Sequence, residues 1–226
     1  MKKIAKIPDL VATVKDALFE AILTGDLRPG EKLQQAKLAE TLGVSRQPVS
    51  HALRLLVDQG ILTALDARSL TVANPDIHSM LQMMDVRSEL DGLAARLAAR
   101  NFANGTTSKK DLDIVAEIEA LVAFHAAHDT ASAKQTVTDD IRFHELIREL
   151  SGNDFIQESL ARFVLHHNRL IYLMARDMDQ KIWPEHRDIL NAITSGDETK
   201  AVNLMRGHIA RGTEKLETLS ETSVEK

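Results

Sequence analysis

The stretch that decides the fold of the N-terminal part runs from residue 33 to residue 56 and reads LQQAKLAETLGVSRQPVSHALRLL. Apolar residues recur at helical spacing on both sides of Gly43, and Ser45 lies at the N-cap position of the second helix. Pro48 follows within the first turn, where its missing N–H costs no intrahelical hydrogen bond. Two short helices joined by a short turn containing glycine predict a helix-turn-helix unit, whose first helix begins at Leu33. The expected inward residues of the second helix are Val49, Ala52, Leu53 and Leu56.

The sequence on either side of this unit predicts a winged helix. Residues 10–23 repeat apolar side chains at helical spacing, and a Pro-Gly pair follows a few residues later. Two short β-like runs, 61–65 and 69–73, follow the helix-turn-helix and are separated by a polar turn. We therefore expect residues 1–74 to form a winged helix-turn-helix DNA-binding domain.

After Asn74 the sequence has long helical patterns and no convincing strand. These patterns cover residues 76–103, 110–127, 130–150, 153–176, 181–195 and 198–218. Glycine, serine or asparagine stands at the breaks near Gly105, Gly152 and Gly196. The pattern predicts an all-helical bundle over residues 75–226, and a chain that is mainly α.

Composition limits the class of protein. The chain has 226 residues, 44% apolar and 27% charged, which is enough for two globular domains. It has no cysteine, which excludes disulfides and thiolate metal sites. No apolar stretch approaches the ~18 residues of a membrane span, and no apolar signal core is visible, so we expect a cytoplasmic protein with no membrane partner. The net charge is −5, but residues 1–75 carry ten Lys/Arg against eight Asp/Glu, or +2, which permits DNA binding there.

The second helix of the predicted helix-turn-helix carries side chains suited to DNA. In such a unit this helix enters the major groove, and its N-terminal residues reach phosphates and base edges. Arginine can bond guanine bidentately, glutamine can bond adenine, and serine hydroxyls favour phosphate. The candidates on this helix are Ser45, Arg46, Gln47, Ser50 and His51. From periodicity alone, the same elements could equally be a small packing unit with Arg46 and Gln47 as solvated residues.

A longer string of residues resembles the winged-helix domain of bacterial repressors of the GntR family. The string is GDLRPGEKL at 25–33, LAETLGVSRQPV at 38–49, and then Ala52-Leu53. The resemblance implies a DNA-binding transcription factor. Two features depart from the family: Ser50-His51 stands where Arg-Glu is usual, and the common wing glycine is replaced around Ser69. We therefore expect a different operator sequence, and an affinity that depends on Lys37, Arg46, Arg54 and the wing residue Arg68.

Three histidines of the C-terminal part lie on the apolar faces of their predicted helices. His144 follows Asp140 by four residues, so both side chains share one inward face. His186 and His208 lie ten residues before and twelve residues after Gly196, so an antiparallel helical pair returns them to nearly the same level. One such histidine is more often a hydrogen-bonded core residue than a ligand, but three with a carboxylate are hard to satisfy separately. A single divalent cation would satisfy all four groups, with Zn²⁺ favoured and Ni²⁺, Mn²⁺ or Fe²⁺ also compatible.

The other polar residues of the predicted bundle give no second constellation. Four histidines lack a matching carboxylate and a returning partner, namely His125, His128, His166 and His167. No additional inward glutamate stands where a general base would be needed. These residues are therefore not assigned to a site.

From Asp76 to its end, the chain resembles the FCD ligand-binding domain that follows the winged helix in FadR-like members of the GntR family. The matching strings are DVR at 85–87 with Leu90-Asp91, LAA at 97–99, DIRFH at 140–144, and HRDIL at 186–190 through Gly196-Asp197 to His208. The resemblance implies that Asp140, His144, His186 and His208 hold a metal and that a small organic acid often completes its coordination.

One position departs from the FCD pattern, and three residues are candidates for effector binding. Asp91 stands where the family usually has Glu, which leaves the metal set untouched. Arg87 could pair bidentately with an effector carboxylate, or it could equally form a structural salt bridge. Asn168 and Arg169 are further pocket candidates.

These observations favour a homodimeric transcriptional regulator whose C-terminal domain binds a metal and a small carboxylate-like metabolite. Dimerisation is expected because two reading helices about one turn of DNA apart, ~34 Å, match a palindromic operator. Two alternatives stay open. Three histidines and an aspartate with open coordination positions could activate water in a metal-dependent hydrolase, or the metal could be purely structural.

Overall fold

The computed structural model describes residues 10–66, 69–74, 77–128, 133–160 and 182–224 of the chain. The chain divides into two compact units, Met1–Pro75 and Asp76–Lys226. Within the described ranges, every helix is too short or too polar to cross a membrane.

The first unit is the predicted winged helix-turn-helix. Its helices are α1 (Leu10–Thr24), α2 (Gln35–Leu42) and α3 (Arg46–Asp58), and its strands are β1 (Lys32–Leu33), β2 (Leu62–Asp66) and β3 (Ser69–Val72). The strands form one antiparallel sheet in the order β1-β3-β2, in which β2 and β3 form the wing.

The first helix of the helix-turn-helix begins two residues later than the sequence pattern predicts. Leu33 belongs to β1, where it pairs with Leu70 of β3 and is buried. Gln34 then has extended backbone, with φ −108° and ψ 111°, and α2 begins at Gln35. A strand of two residues has too few positions to show an alternating pattern, so its leucine was counted with the apolar residues of the following helix.

The two helices of the motif are joined and packed as their sequence dictates. Gly43 ends α2 with φ 65°, a left-handed conformation that glycine adopts without steric cost, and the chain then turns into α3. The expected inward face of α3 is buried against α1 and the sheet. Its buried residues are Val49, Ala52, Leu53 and Leu56, as predicted.

The second unit is the predicted helical bundle, and its described residues contain no strand. Its helices are α4 (Ile77–Ala103), α5 (Lys109–Ala127), α6 (Ala133–Leu150), α7 (Ile182–Thr194) and α8 (Glu198–Val224), and residues 154–160 are also helical. The long helix α4 packs along α8 and also contacts α6 and α7, while α5 packs on α6 and α7. The side chains between these helices form one apolar core.

The turn between α7 and α8 is fixed against the end of α4. Gly196 has φ 76°, and a Cβ placed there would lie 2.9 Å from the Cβ of Ala103, so the turn requires glycine for conformation and for space. Beside it, the guanidinium of Arg100 donates to both carboxylate oxygens of Glu198, at 2.9–3.2 Å. These contacts hold the turn of the α7–α8 hairpin against the C-terminal end of α4.

Removing a buried leucine should destabilise the bundle, whereas removing an exposed one should not. Leu146 is fully buried in α6, and Leu112 of α5 is 56% exposed. We expect Leu146→Ala to lower the free energy of unfolding by about 2–5 kcal/mol through lost burial and a residual cavity. Urea unfolding followed by the fluorescence of Trp183 measures this, with Leu112→Ala as the matched control. Equal stability of the two variants would contradict the described core.

Candidate functional site

Four polar side chains from three helices meet inside the bundle. Asp140 and His144 lie one turn apart on α6, His186 lies on α7, and His208 lies on α8. One ligand atom from each residue lies within 4.8 Å of the ligand atoms of the other three. The structure therefore brings together all four residues that the sequence pattern predicts as metal ligands.

The shortest separations in this cluster join atoms that are able to bind a cation. The Nε2 of His186 lies 3.3 Å from the Nε2 of His208 and 3.4 Å from Oδ1 of Asp140, whereas the Nε2 of His144 lies 4.0 Å from that same oxygen. A tetrahedral ion with bonds of about 2.0–2.1 Å separates its ligand atoms by about 3.4 Å. The spacing therefore suits a first-row divalent metal ion.

Burial leaves several nitrogens of this cluster without hydrogen-bond partners. Asp140, His144 and His186 are at most 5% exposed. Both ring nitrogens of His144 and the Nδ1 of His186 have no partner. Each buried polar atom without a partner costs about 1–3 kcal/mol. A cation bound by the Nε2 atoms would give the Nε2 of His144 a partner, so the residues present fit a metal ion.

The environment holds these groups in the protonation states that bind metal ions. Burial alone would raise the pKa of Asp140, but its hydrogen bond with His186 and the positive charge nearby lower that pKa to about 2. Burial lowers the pKa of His186 to about 4, and it lowers the pKa of His144 well below 6.5 with the added effect of Arg87. At neutral pH Asp140 is thus a carboxylate, and His144 and His186 are neutral imidazoles, as metal coordination requires.

A buried ion-pair network surrounds the His144 side of the cluster. Asp91 of α4 is 1% exposed and accepts hydrogen bonds from Arg148 at 2.6 and 3.1 Å and from the Nε of Arg87 at 3.0 Å. The Nδ1 of His144 lies 3.6 Å from Oδ2 of Asp91, beyond hydrogen-bond distance. Two buried guanidinium groups are therefore held around one carboxylate beside the cluster. From the sequence, Asp91 was noted only as a departure from a family pattern. Its contacts with Arg87 and Arg148 were not predicted.

A second carboxylate, Glu185, contacts the cluster from the α7–α8 side. Its Oε2 accepts a hydrogen bond from the Nδ1 of His208 at 2.8 Å, and its Oε1 accepts one from the Nε of Arg211 at 2.7 Å. These contacts lower the pKa of Glu185 to about 2, although its partial burial acts in the opposite direction. The sequence pattern did not reveal this contact, and because both oxygens of Glu185 accept hydrogen bonds, the expectation that no additional glutamate stands where a general base would be needed is not contradicted. Its position directly before His186 was the available signal, but a contact across helices cannot be read from a single helical pattern.

The structure also corrects the treatment of His125, which has a carboxylate partner. Its Nε2 lies 2.7 Å from Oδ2 of the buried Asp139, and Gln135 donates to the other oxygen of Asp139 at 2.7 Å. The ring of His125 stacks on Trp183 with ring centroids 3.9 Å apart. The partner comes from α6, the neighbouring helix, and not from the helix of His125, which is why its own pattern did not reveal it.

Of the three candidate effector residues, the structure describes Arg87 alone. Arg87 is buried, and its Nε forms a salt bridge with Asp91. A structural salt bridge was one of the two roles considered for Arg87 from the sequence, the other being contact with an effector carboxylate. Burial lowers the pKa of Arg87, and the carboxylate of Asp91 opposes that shift. Asn168 and Arg169 lie outside the described residues.

Most of the residues expected to contact DNA are exposed on the helix-turn-helix. The exposed ones are Lys37, Ser45, Arg46, Gln47, His51 and Arg54, and Ser50 is half-buried. Ser45 precedes α3 with extended backbone, but its side chain makes no capping hydrogen bond. Arg68 lies outside the described residues. These residues stay predictions as DNA contacts.

Comparison with known families assigns both units. The model of the FCD domain matches residues 82–211, which is more than half of the chain. The model described as "Bacterial regulatory proteins, gntR family" matches residues 10–72.

Individual relatives cover nearly the whole chain. The chain is 24% identical over 210 residues to YdhC of Bacillus subtilis (strain 168), an uncharacterized HTH-type transcriptional regulator, with 92% of this chain and 91% of YdhC covered. It is 24% identical over 197 residues to the HTH-type transcriptional repressor GlaR of Escherichia coli (strain K12), with 83% of this chain and 87% of GlaR covered.

A solved structure has the same fold. E. coli McbR/YncC matches with a TM-score of 0.77 at 20% sequence identity, with 96% of this chain and 100% of that chain covered. With a winged helix-turn-helix followed by an FCD domain, the chain is a transcriptional regulator of the GntR family.

Proposed function

We propose that this regulator binds operator DNA through α3 and the wing, and that a small carboxylate-like metabolite bound beside a metal ion in the FCD domain controls that binding. The single observation that carries the proposal is the convergence of Asp140, His144, His186 and His208 in the interior of the bundle. Repression is the mode we favour, because the relative GlaR is named a transcriptional repressor.

The metal part of the proposal follows from the donor set. One carboxylate and three imidazoles suit a borderline ion, with Zn²⁺ first and Ni²⁺, Mn²⁺ or Fe²⁺ also compatible. When bound, such an ion supplies a positive charge and open coordination positions for an anionic ligand. The chain's own residues hold the donors in place, since α6 supplies two of them and the α7–α8 hairpin supplies the other two.

The effector part follows from charge. The buried guanidinium groups of Arg87 and Arg148 are balanced by the buried carboxylates of Asp91 and Asp140, so an added divalent cation would leave an excess of buried positive charge. An anionic ligand would offset that charge, because an uncompensated buried charge is costly. We therefore propose an organic acid as the effector, with Arg87, Asn168 and Arg169 as its candidate protein contacts.

The regulatory step requires a difference in affinity between two states of the protein. An effector can change DNA binding only if it binds the DNA-competent and the incompetent arrangements differently, which is typically worth about 1–3 kcal/mol. We propose that the active form is a homodimer on a palindromic operator, since the two-fold symmetry of paired half-sites matches that of two winged helices.

A metal-dependent hydrolase is the alternative that the cluster itself suggests. An ion bound by Asp140 and the histidines could activate water if coordination positions stayed open. Glu185, which contacts the cluster through His208, already accepts hydrogen bonds from His208 and Arg211. The regulator is favoured because the chain also carries a GntR winged helix, for which a hydrolase offers no role. Turnover of ester or amide substrates that requires added metal and is lost in Asp140→Ala would support the hydrolase.

The metal assignment predicts the loss of bound metal in a double variant. Replacing His186 and His208 with alanine removes one donor from each helix of the α7–α8 hairpin, so stoichiometric metal should be abolished. Elemental analysis of the purified full chain measures this, with His128→Ala as a control because His128 is exposed at the end of α5. A full complement of metal in the double variant would reject the assignment.

The DNA interface predicts a loss of operator affinity in a single variant. If Arg46 contacts a base, Arg46→Ala should weaken binding by about 1–3 kcal/mol and relax the sequence preference at that position. Fluorescence anisotropy on duplexes selected by the unsubstituted protein from a random library measures both effects. Arg96→Ala is the matched control, since this exposed arginine lies in the helical bundle. Unchanged affinity of the Arg46 variant would remove Arg46 from the interface.

The effector assignment predicts stabilisation by a ligand only when metal is present. A compound that binds the folded state raises its melting temperature by mass action. We expect a thermal-shift screen of small organic acids to find stabilising compounds with Zn²⁺-loaded protein, and the shift to disappear in Asp140→Ala. A stabilising acid should also change the affinity of the protein for its selected DNA. A metal that only holds the fold would instead give melting on chelation and no acid that changes DNA affinity.

A further inference from the structure

The three imidazoles of the cluster differ in what their outward nitrogens contact. The Nδ1 atoms of His144 and His186 have no hydrogen-bond partner. The Nδ1 of His208 lies 2.8 Å from Oε2 of Glu185. Among the three, His208 is therefore the ring whose outward nitrogen is hydrogen-bonded to a carboxylate.

The rings also differ in how firmly apolar side chains hold them. The His186 ring stacks on Phe143 with centroids 3.8 Å apart and meets the edge of Trp183 at 4.8 Å. The His144 ring packs against Phe143 at 5.2 Å. The ring contacts that the described residues give His208 are to these same two histidines, at 5.2 and 4.7 Å. Phe143 thus packs on both His144 and His186, whereas His208 has no ring contact with Phe or Trp among the described residues.

We propose that Glu185 is the positioning residue for His208. By accepting a hydrogen bond from Nδ1–H, it selects the tautomer that leaves the Nε2 lone pair directed at His186 and Asp140, and it fixes the ring plane. This inference rests on the proposed metal centre. A carboxylate behind a metal-bound imidazole orients the ring and raises its basicity, and losing such a partner typically weakens metal binding about 10- to 100-fold.

The position of Glu185 favours this role for two further reasons. It lies in the first turn of α7, where the helix dipole stabilises a negative side chain. Its other oxygen accepts a hydrogen bond from Arg211, which follows His208 by three residues on α8 and so lies on the same face of that helix. The carboxylate is consequently held from both sides and keeps one oxygen directed at the imidazole.

A purely structural role for Glu185 makes a different prediction. If Glu185 only joined α7 to α8, then breaking its ion pair with Arg211 would have the same effect as removing Glu185 itself. If Glu185 positions His208, removal of Arg211 leaves the hydrogen bond to the imidazole in place. The pair of variants Glu185→Ala and Arg211→Gln therefore separates the two roles.

The first test measures metal affinity on the full chain. Co²⁺ is titrated into metal-free protein against a competing chelator and followed by its visible absorption and by quenching of Trp183, the single tryptophan of the chain. We expect Glu185→Ala to bind Co²⁺ about 10- to 100-fold more weakly. Glu185→Gln should lose less, because the amide oxygen still accepts the hydrogen bond. Arg211→Gln should also lose less than Glu185→Ala, because it leaves the Glu185 carboxylate bonded to the imidazole. Circular dichroism checks the helical content of each variant.

The second test observes the tautomer directly in metal-free protein by ¹⁵N NMR of the histidine rings. His208 should carry its proton on Nδ1 in the unsubstituted protein and in Glu185→Gln, and should become a mixture of tautomers in Glu185→Ala. Unchanged Co²⁺ affinity and an unchanged tautomer in Glu185→Ala, or an equal loss of affinity in Arg211→Gln, would overturn the inference while leaving the metal centre intact. Failure of the unsubstituted protein to bind Co²⁺, Zn²⁺ or Ni²⁺ would instead overturn the metal centre, and this inference with it.

Discussion

Burial of Asp140, His144 and His186 beside the half-buried His208 is the constraint on which the account of the C-terminal unit depends. Water could satisfy these groups at the surface, but in the interior each needs a partner of its own. The described residues supply partners for some of the atoms, yet both ring nitrogens of His144 have none. A folded chain that keeps such groups in its interior gives up stability unless a ligand compensates for them.

A site built in this way is suited to regulation because its donors come from separate elements. Asp140 and His144 belong to α6, whereas His186 and His208 belong to the two arms of the hairpin that turns at Gly196. An ion bound by all four would therefore join three helices. Carboxylates beside the site also link helices: Asp91 of α4 accepts hydrogen bonds from Arg148 of α6, and Glu185 of α7 accepts them from His208 and Arg211 of α8. Occupancy of the site thus bears on most of the helices of the bundle.

Much of the fold and the four central residues could be predicted from the sequence, because both depend on local periodicity. The apolar spacing on α3 gave its buried face, and the i,i+4 spacing placed Asp140 above His144 on one helix. The level of His186 and His208 followed from counting residues on either side of a glycine that the structure finds in a left-handed turn.

The errors share a physical cause, which is contact between different elements. Strand β1 exists only through its pairing with β3, so two residues of sequence could not reveal it. The partners of His125 and His208, which are Asp139 and Glu185, both come from neighbouring helices. Helical periodicity says which face a residue occupies but not which side chain of another helix it meets. Contacts around a site are for that reason harder to predict than the site itself.

The central claim is that three imidazoles and one carboxylate of this chain bind a single metal ion. X-ray absorption spectroscopy at the zinc edge, on the full chain loaded with one equivalent of Zn²⁺, tests it most directly. The account predicts a first coordination shell of nitrogen and oxygen at about 2.0–2.2 Å, with outer-shell scattering that requires three imidazole rings. A spectrum whose outer-shell scattering is fitted by two imidazoles or fewer would contradict it.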